Sequence, residues 1–164
     1  MRFDVVDTEA MEAFGRDLGA QLRAGDLVVL TGALGAGKTT LTRGIGAGLG
    51  VRGPVQSPTF VLARTHPNLA DGAPLVHVDA YRLGDAALVD DLDLDFDHSV
   101  VVVEWGSGLV DDVSDSRLEI VIERPMGASA AAGALRDDDL DVDEPRTITV
   151  LGYGPRWAGD PYAA

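Results

Sequence analysis

The sequence predicts an α/β protein with three layers, in which a largely parallel central sheet carries antiparallel strands at its edges. Short apolar runs rich in β-branched residues alternate with stretches of helical periodicity, which is the pattern of strands connected by helices. A length of 164 residues allows one hydrophobic core and is too short for two ordinary domains. We therefore expect residues 1–164 to form a single domain.

The first part of the chain predicts two units, each made of a strand followed by a helix. Met11, Phe14 and Leu18 recur at the spacing of one helix face, and Asp7 or Thr8 before them is a residue type that caps a helix N-terminus. The predicted elements are a strand at 3–6, a helix that ends near residue 22, a strand at 27–31 and a helix at 39–49.

The remainder of the chain predicts five further strands and several irregular segments. Residues 50–59 are rich in Gly, Pro and Ser, which favours a loop, and residues 88–94 suggest a short acidic helix or an irregular segment. Residues 126–145 are small and acidic, so we expect a flexible loop there, and a terminal tail at 155–164. The predicted strands lie at 60–65, 75–79, 100–104, 118–122 and 147–151.

The chain is strongly acidic, with a formal net charge of −14 at pH 7. A protein that binds nucleic acid on its own needs a basic surface to displace counterions, so we expect no independent nucleic-acid binding. No stretch approaches a membrane span of about 20 apolar residues, and the N-terminus lacks the basic and apolar regions of a signal peptide. The chain has no cysteine, which excludes disulfides and is compatible with a cytoplasmic location.

One motif identifies a ligand class. Residues 32–39 have the sequence GALGAGKT, which matches the pattern G-x-x-x-x-G-K-[ST] of a phosphate-binding loop, or P-loop. The motif lies between a predicted strand and a predicted helix, as it should, and it contains Lys38, the only lysine of the chain. We therefore predict that the protein binds a nucleotide in a P-loop NTPase fold.

Each residue type in the P-loop has a chemical role in binding phosphate or metal. The glycines let the backbone adopt positive φ and turn its N–H groups toward an anion. The helix N-terminus adds a partial positive charge, Lys38 adds a full one near the β- and γ-phosphates, and the Thr39 hydroxyl is a ligand for Mg²⁺. The predicted nucleotide-binding residues in this stretch are Gly32, Gly35, Ala36, Gly37, Lys38, Thr39 and Thr40.

Two acidic residues end predicted strands and are candidates for the metal side of the site. Asp79 and Glu104 each follow a mostly apolar run, so both should emerge at the carboxyl edge of the sheet, where open α/β sheets bind ligands. A P-loop protein needs an acid there to hold Mg²⁺ or its water, and another to orient an attacking water. We predict that Lys38, Asp79 and Glu104 are catalytic and that Thr39, Asp79 and Glu104 are metal ligands. Which of the two acids binds the metal directly stays open.

Other residues near these motifs allow two interpretations. The hydroxyls of Ser57 and Thr59, in the loop after the P-loop helix, are candidates to reach metal or phosphate, and an ordinary turn is an equally good interpretation. His77 is interpreted as a strand residue rather than a catalytic base. Trp105 either stacks on a base or fills a crevice, and Trp157 is expected to be a packing residue.

The absence of three motifs helps to identify which nucleotide is bound and which class of reaction is catalysed. Guanine-specific P-loop proteins usually carry Asn-Lys-x-Asp, which cannot occur in a chain whose only lysine is Lys38. The Leu-Ser-Gly-Gly signature of ABC-type proteins is absent, and the arginines are scattered rather than gathered in a kinase lid. These absences favour a small ATPase. The alternatives are a small-molecule P-loop kinase and a nucleotide-switched binding module.

Four segments, in this order, resemble the bacterial TsaE family of tRNA threonylcarbamoyladenosine biosynthesis. They are GAGKTTLTRG at 35–44, VQSPTF at 55–60, HVDAYRL at 77–83 and VEW at 103–105. The P-loop segment is generic, whereas the other three in this order are specific. The resemblance covers residues 8–125.

The resemblance implies an ATPase that binds ATP and Mg²⁺ and acts with two partner proteins, TsaD and TsaB, in modifying the adenosine beside the anticodon of tRNA. It implies weak turnover alone, stimulation by the partners and only indirect contact with tRNA. By their positions in the family motifs, Thr39 and Glu104 would hold the metal, and Asp79 is also linked to activity. Four positions depart from the family pattern: Ala33 replaces a frequent Asp, Phe60 a frequent Tyr and Met11 a frequent Thr, and Leu88 stands where an acidic residue is common.

Overall fold

The computed structural model describes residues 1–58, 62–82, 94–110, 113–124 and 144–164. The predicted site residue Thr59, the predicted acidic segment around 88–92 and most of the acidic stretch at 126–145 therefore lie outside the described residues. The strands are β1 (Arg2–Val5), β2 (Leu27–Gly32), β3 (Ala63–His66), β4 (Leu75–Asp79), β5 (Val100–Glu104), β6 (Arg117–Glu123) and β7 (Arg146–Tyr153), and the α-helices are α1 (Thr8–Gly19) and α2 (Lys38–Leu49).

These strands form one sheet with the order β1-β7-β6-β2-β5-β4-β3. The central strands β6, β2, β5 and β4 run parallel to one another, whereas β3 is antiparallel to β4, and β7 is antiparallel to β6 and β1. The predicted α/β fold with a largely parallel centre and antiparallel edges is confirmed. Because parallel strands end at the same edge, Gly32, Asp79 and Glu104 emerge side by side.

Two hydrophobic clusters cover the opposite faces of the sheet. Both α-helices lie on one face, where Leu18 of α1 and Leu41 and Ile45 of α2 are at most 1 % exposed. On the other face, the segment after β5 packs Leu109 and Val110 against the alternate residues of the same strands. Burial on both faces explains why the central strands are continuous apolar runs rather than alternating ones.

Close packing of α1 against α2 holds the helix that follows the P-loop. A Cβ added at Gly15 would lie 2.6 Å from the carbonyl oxygen of Leu41, and one added at Gly44 would lie 2.4 Å from that of Glu12. Real Cβ atoms do not approach backbone this closely, so the glycines let the two helix backbones touch. The position of α2, and with it the P-loop, is thereby fixed against α1.

α1 is shorter than the apolar periodicity predicts, whereas α2 covers the predicted residues. α1 ends at Gly19, not near Leu22, because the N–H groups of Gln21 and Leu22 bond to carbonyls three residues back and tighten the backbone into a turn. Leu22 is nevertheless 7 % exposed and belongs to the core. No helix in the described part of the chain has the length and apolar character needed to cross a membrane.

β3 begins later than predicted. Leu62 has a φ angle of 57°, in the left-handed region, so the extended strand starts only at Ala63 and runs to His66 instead of covering 60–65. The first two residues of that predicted strand lie outside the described part of the chain.

Residues 155–164, expected to form a terminal tail, pack against the sheet. Trp157 is 1 % exposed, which confirms its packing role, and Tyr162 is 9 % exposed. The guanidinium of Arg156 donates to both carboxylate oxygens of Asp26, at 2.9 and 3.2 Å, and lies 4.0 Å from the centre of the Trp157 ring. The expectation of a tail is therefore corrected, since a buried tryptophan and a bidentate ion pair anchor the segment.

Candidate functional site

The P-loop connects β2 to α2 at the carboxyl edge of the sheet. Gly35 and Gly37 have φ angles of 71° and 106°, in the region that favours glycine. Gly37 is the N-cap of α2 and provides no capping side chain, so the first N–H groups of the helix, which begins at Lys38, have no intrahelical acceptor. N–H groups presented in this way are suited to bind phosphate.

Gly32 contributes to the loop in a different way from the other glycines. Its φ is not positive, so the predicted left-handed conformation at Gly32 is wrong. A Cβ there would lie 2.8 Å from the carbonyl oxygen of Ile122 on β6 and 3.1 Å from the Cβ of Ala36, so glycine is required by space. The loop also packs against α1, since a Cβ at Gly37 would meet the Met11 methyl group at 3.3 Å.

Lys38 folds back over the loop. Its Nζ donates to the carbonyl oxygens of Gly32 at 2.9 Å and Ala33 at 3.0 Å. The same ammonium lies 4.1 Å from the centre of the Trp105 ring, which is within the range of a cation–π contact. The side chain is thus held at the mouth of the P-loop by two carbonyls and an aromatic face.

The electrostatics of Lys38 link it to both predicted acids. Burial lowers the pKa of its ammonium below the ordinary value, and the charges of Glu104 and Asp79 oppose that shift. Both predicted acids therefore lie close enough to Lys38 to act on its charge, and the three residues form a single cluster.

Glu104 is the acid that contacts the P-loop. The register of β4 and β5 places Asp79 beside Glu104. The Thr39 hydroxyl donates to Oε1 of Glu104 at 3.3 Å, and Glu104 is only 6 % exposed. Asp79 is partly exposed, and its Oδ1 accepts a hydrogen bond from the N–H of Tyr81 at 3.1 Å. The acids thus have different environments, one buried against Thr39 and the other nearer the surface.

His77 is the strand residue that the sequence predicts, and it also contacts a site acid, which the sequence did not indicate. It is completely buried on β4, and its Nε2 lies 2.8 Å from Oε1 of Glu104 on β5, the oxygen that also accepts from Thr39. Because a carboxylate oxygen only accepts, the imidazole Nε2 donates in this contact and fixes the orientation of the carboxylate. Its position two residues before Asp79 was visible in the sequence, but only the strand register shows that it reaches Glu104.

Trp105 and Tyr81 form an aromatic pair beside Lys38. Trp105 follows β5 with a φ angle of 63°, and its backbone N–H donates to the carbonyl oxygen of Leu30 at 2.9 Å. Its ring lies 5.3 Å, centre to centre, from that of Tyr81, which is 71 % exposed. The sequence left base stacking or crevice filling open for Trp105; here its face contacts the Lys38 ammonium.

The other predicted nucleotide-binding residues occupy varied environments. Ala36 is 1 % exposed, so its side chain packs while only its backbone is available to a ligand. Thr40, in the first turn of α2, and Ser57, in the loop that follows α2, are both partly buried. Thr59 lies outside the described residues, and its contact with metal or phosphate stays a prediction.

Two arginines that the sequence did not single out also contact the P-loop. Arg124, after β6, donates to the carbonyl oxygen of Gly35 at 2.6 Å, and Arg146, on β7, donates to that of Ala36 at 3.3 Å. Because both arginines lie far from the P-loop in sequence, no local pattern indicates the contact.

The oxygen donors of the site suit Mg²⁺. Among the described residues, no group of three or more His, Cys, Asp or Glu side chains is arranged to hold a metal. Mg²⁺ does not need such a cage, because it usually keeps several waters and binds through one or two carboxylates and substrate phosphates. The adjacent Thr39 hydroxyl and Glu104 carboxylate, with Asp79 on the next strand, offer donors of that kind.

Comparisons with known proteins agree on one family. A family model described as threonylcarbamoyl adenosine biosynthesis protein TsaE matches residues 5–130. The tRNA threonylcarbamoyladenosine biosynthesis protein TsaE of Streptomyces coelicolor is 56 % identical over 151 residues, covering 90 % of this chain and 94 % of that protein. The protein of the same name from Bacillus subtilis is 38 % identical over 161 residues, covering 96 % and 89 %. The one from Mycobacterium tuberculosis is 51 % identical over 119 residues, covering 67 % and 71 %.

A solved structure shares the fold as well. The crystal structure of YdiB from Bacillus subtilis superposes with a TM-score of 0.63 at 31 % sequence identity, covering 95 % of this chain and 86 % of that one. The segment matched by the family model contains the P-loop, Asp79 and Glu104.

Proposed function

This chain belongs to the TsaE family of threonylcarbamoyl adenosine biosynthesis, and on that premise we propose that it binds and hydrolyses ATP in support of this tRNA modification. The contact of Thr39 with Glu104, beside Lys38 in a P-loop, is the observation that carries the proposal. A cation that can bind phosphate, a hydroxyl and a carboxylate thus lie together at the N-terminus of one helix. A site for Mg²⁺ and a nucleotide requires these groups.

The polyphosphate of ATP would lie along the P-loop and the start of α2. The N–H groups at the beginning of α2 donate to its oxygens, and the loop glycines leave room for this close approach. Lys38 leaves the carbonyls of Gly32 and Ala33 to bind the β- and γ-phosphates, which are the stronger acceptors because they are charged.

Mg²⁺ would be held by Thr39 and by Glu104, directly or through water, with Asp79 in the neighbouring position. The metal would neutralise charge on the phosphates. His77 holds the Glu104 carboxylate in the direction of Thr39. Asp79, which is more exposed, is suited to orient the attacking water beside the γ-phosphate.

The acidic composition of the chain favours action on tRNA through protein partners. With a net charge of −14, the chain has little means of competing for the counterions of RNA. We assign the contact with tRNA to the proteins TsaD and TsaB, with which this chain would act as an ATPase in the cytoplasm. Its own turnover would be slow, and the partners would stimulate it.

Phosphate release from MgATP tests this proposal. The rate is measured for the chain alone, for the chain with TsaD and TsaB, and for all three with tRNA, using Lys38→Ala in each mixture as the matched control. We expect slow release alone, faster release with the partners, and none above background with Lys38→Ala. Inorganic phosphate should appear in equal amount to ADP.

Other outcomes would contradict the proposal in distinguishable ways. A phosphorylated small molecule formed in equal amount to ADP, without free phosphate, would identify a kinase. Modification supported equally well by a non-hydrolysable ATP analogue over many turnovers would identify a binding module that nucleotide merely switches. If Lys38→Ala hydrolysed ATP at the rate of the parent protein, the P-loop would not be the site of hydrolysis.

A further inference from the structure

The P-loop is contacted from outside by two arginines, on the side opposite Glu104. Arg124 Nη2 lies 2.6 Å from the carbonyl oxygen of Gly35, and Arg146 Nε lies 3.3 Å from that of Ala36. Arg124 directly follows β6 and Arg146 begins β7, whereas Glu104 ends β5, and β2 runs between β6 and β5. The loop is therefore held between a cationic side and an acidic side.

Both arginines are at least partly buried. Arg146 is 7 % exposed, and its pKa is lowered first by burial and then by the charge of Arg124, with Glu144 at 3.5 Å opposing the shift. The Nε of Arg124 is buried without a hydrogen-bond partner in the described part of the chain. Arg146 also donates through Nη1 to the carbonyl oxygens of Glu144 at 2.6 Å and Pro145 at 3.3 Å, whereas the Arg124 Nε has no such partner among the described residues. Two cations held this close to one backbone loop indicate that the conformation of the loop depends on them.

The direction of the peptide groups shows what the contacts achieve. In a trans peptide the C=O and the following N–H point in opposite directions. Arg146 donates to the Ala36 carbonyl, so the Gly37 N–H of the same peptide points away from Arg146. Arg124 fixes the preceding peptide, whose N–H closes a turn by donating to the Ala33 carbonyl at 3.0 Å.

We propose that Arg124 and Arg146 are positioning residues: Arg146 holds the Ala36 carbonyl so that the Gly37 N–H is presented to the β-phosphate of a bound nucleotide, and Arg124 holds the preceding peptide in the turn that shapes the loop. Their charges also raise the positive potential behind the loop. This inference rests on the proposed binding of MgATP and adds two residues that lie outside the P-loop pattern.

The experiment compares dissociation constants for ATP, ADP and AMP, measured by displacement of a fluorescent ADP analogue. Arg124→Gln and Arg146→Gln remove the charge and the donor geometry, and Arg16→Gln is the matched control because that arginine is exposed on α1. We expect ATP and ADP to bind about tenfold more weakly to each of the first two variants, or about 1.4 kcal/mol. AMP, which lacks the β-phosphate, should bind with nearly unchanged affinity, and Arg16→Gln should resemble the parent.

The lysine variants distinguish a loss of P-loop positioning from a general loss of folded structure. Arg124→Lys and Arg146→Lys keep the charge but lose the planar fork of donors, so we expect a smaller loss than with glutamine, again restricted to ATP and ADP. Urea unfolding confirms that each variant is folded under the binding conditions. If a glutamine variant does not fold, the lysine variant at that position decides, and affinity equal to the parent then overturns the proposal.

The remaining outcomes are also decisive. If the parent protein binds neither ATP nor ADP, the proposed function fails, and this inference fails with it. If the parent binds and the folded glutamine variants bind equally well, only the role of the two arginines is overturned. Equal losses for ATP, ADP and AMP overturn it too, because the arginines would then act on a part of the ligand that all three share.

Discussion

Replacing His77 by leucine tests whether this buried histidine controls the metal side of the site. Its Nε2 lies 2.8 Å from Oε1 of Glu104, and it is 0 % exposed while Glu104 is 6 % exposed. Leucine has a similar volume and no polar atom, so it removes the hydrogen bond while leaving the packing nearly filled. The Thr39 hydroxyl remains as the other donor to the same oxygen.

The contacts of His77 set the size of the expected effect. Taking a donor away from a buried charged acceptor costs about 1–3 kcal/mol of folding free energy. The other ring nitrogen, Nδ1, is buried without a partner among the described residues, and leucine removes that penalty. We therefore expect a net destabilisation near the lower end of that range. Because groups that orient a metal ligand typically contribute a factor of about 10–100 in metal affinity, the Mg²⁺ requirement should rise by about that factor.

The assay is the Mg²⁺ dependence of ATP binding and hydrolysis, combined with urea unfolding of the same preparations. His77→Gln is the matched control, because a glutamine Nε2 can occupy the place of the histidine Nε2 and donate to Glu104. We expect His77→Gln to retain most of the Mg²⁺ affinity and His77→Leu to lose it, with ATP binding in the absence of Mg²⁺ similar in both.

A folded His77→Leu protein with the Mg²⁺ dependence of the parent would refute the reasoning, since Glu104 would then need no orientation by His77. Equal loss in the leucine and glutamine variants would also refute it, because the donor would not be the property that matters.

Other residues give predictions of different kinds. Lys38→Ala should abolish measurable MgATP binding in equilibrium dialysis while the protein still unfolds cooperatively, because the ammonium is the side-chain charge of the P-loop; retained binding would be incompatible with the assigned phosphate site. Gly44→Ala should lower the free energy of unfolding by about 1–3 kcal/mol in urea, because its Cβ would lie 2.4 Å from the Glu12 carbonyl oxygen; an unchanged midpoint would mean that the helices separate at no cost. Stability should fall as the pH drops below 6.5, because burial lowers the pKa of His66 in the folded protein and the unfolded chain then binds more protons. Urea unfolding across that range should show a weaker pH dependence for His66→Leu, and an identical dependence would assign the effect to other groups.

The parts of the site that the sequence predicts are those encoded by adjacent residues. The P-loop pattern is local, because its glycines, Lys38 and Thr39 act through the turn and helix start that they themselves form. The acids Asp79 and Glu104 were found because an apolar strand ending in a carboxylate is also a local pattern. Parallel strands then bring the two acids to one edge, as the register confirms.

The contacts that the sequence did not predict are made across the sheet. His77 reaches Glu104 only because β4 and β5 pair in a particular register, and Arg124 and Arg146 reach the P-loop from strands far along the chain. Gly32 shows the same limit in another form. Its residue type is as predicted, but the reason is the closeness of Ile122 on β6, which no local pattern contains.

Phosphate release in the presence of TsaD, TsaB and tRNA, compared between the parent and Glu104→Gln, tests the central claim most directly. The substitution keeps the size of the side chain and removes the negative charge beside Thr39. We predict that the variant still binds ATP but loses partner-stimulated hydrolysis. Hydrolysis by Glu104→Gln at the rate of the parent would contradict the assignment of the metal side of the site, and with it the proposed ATPase mechanism.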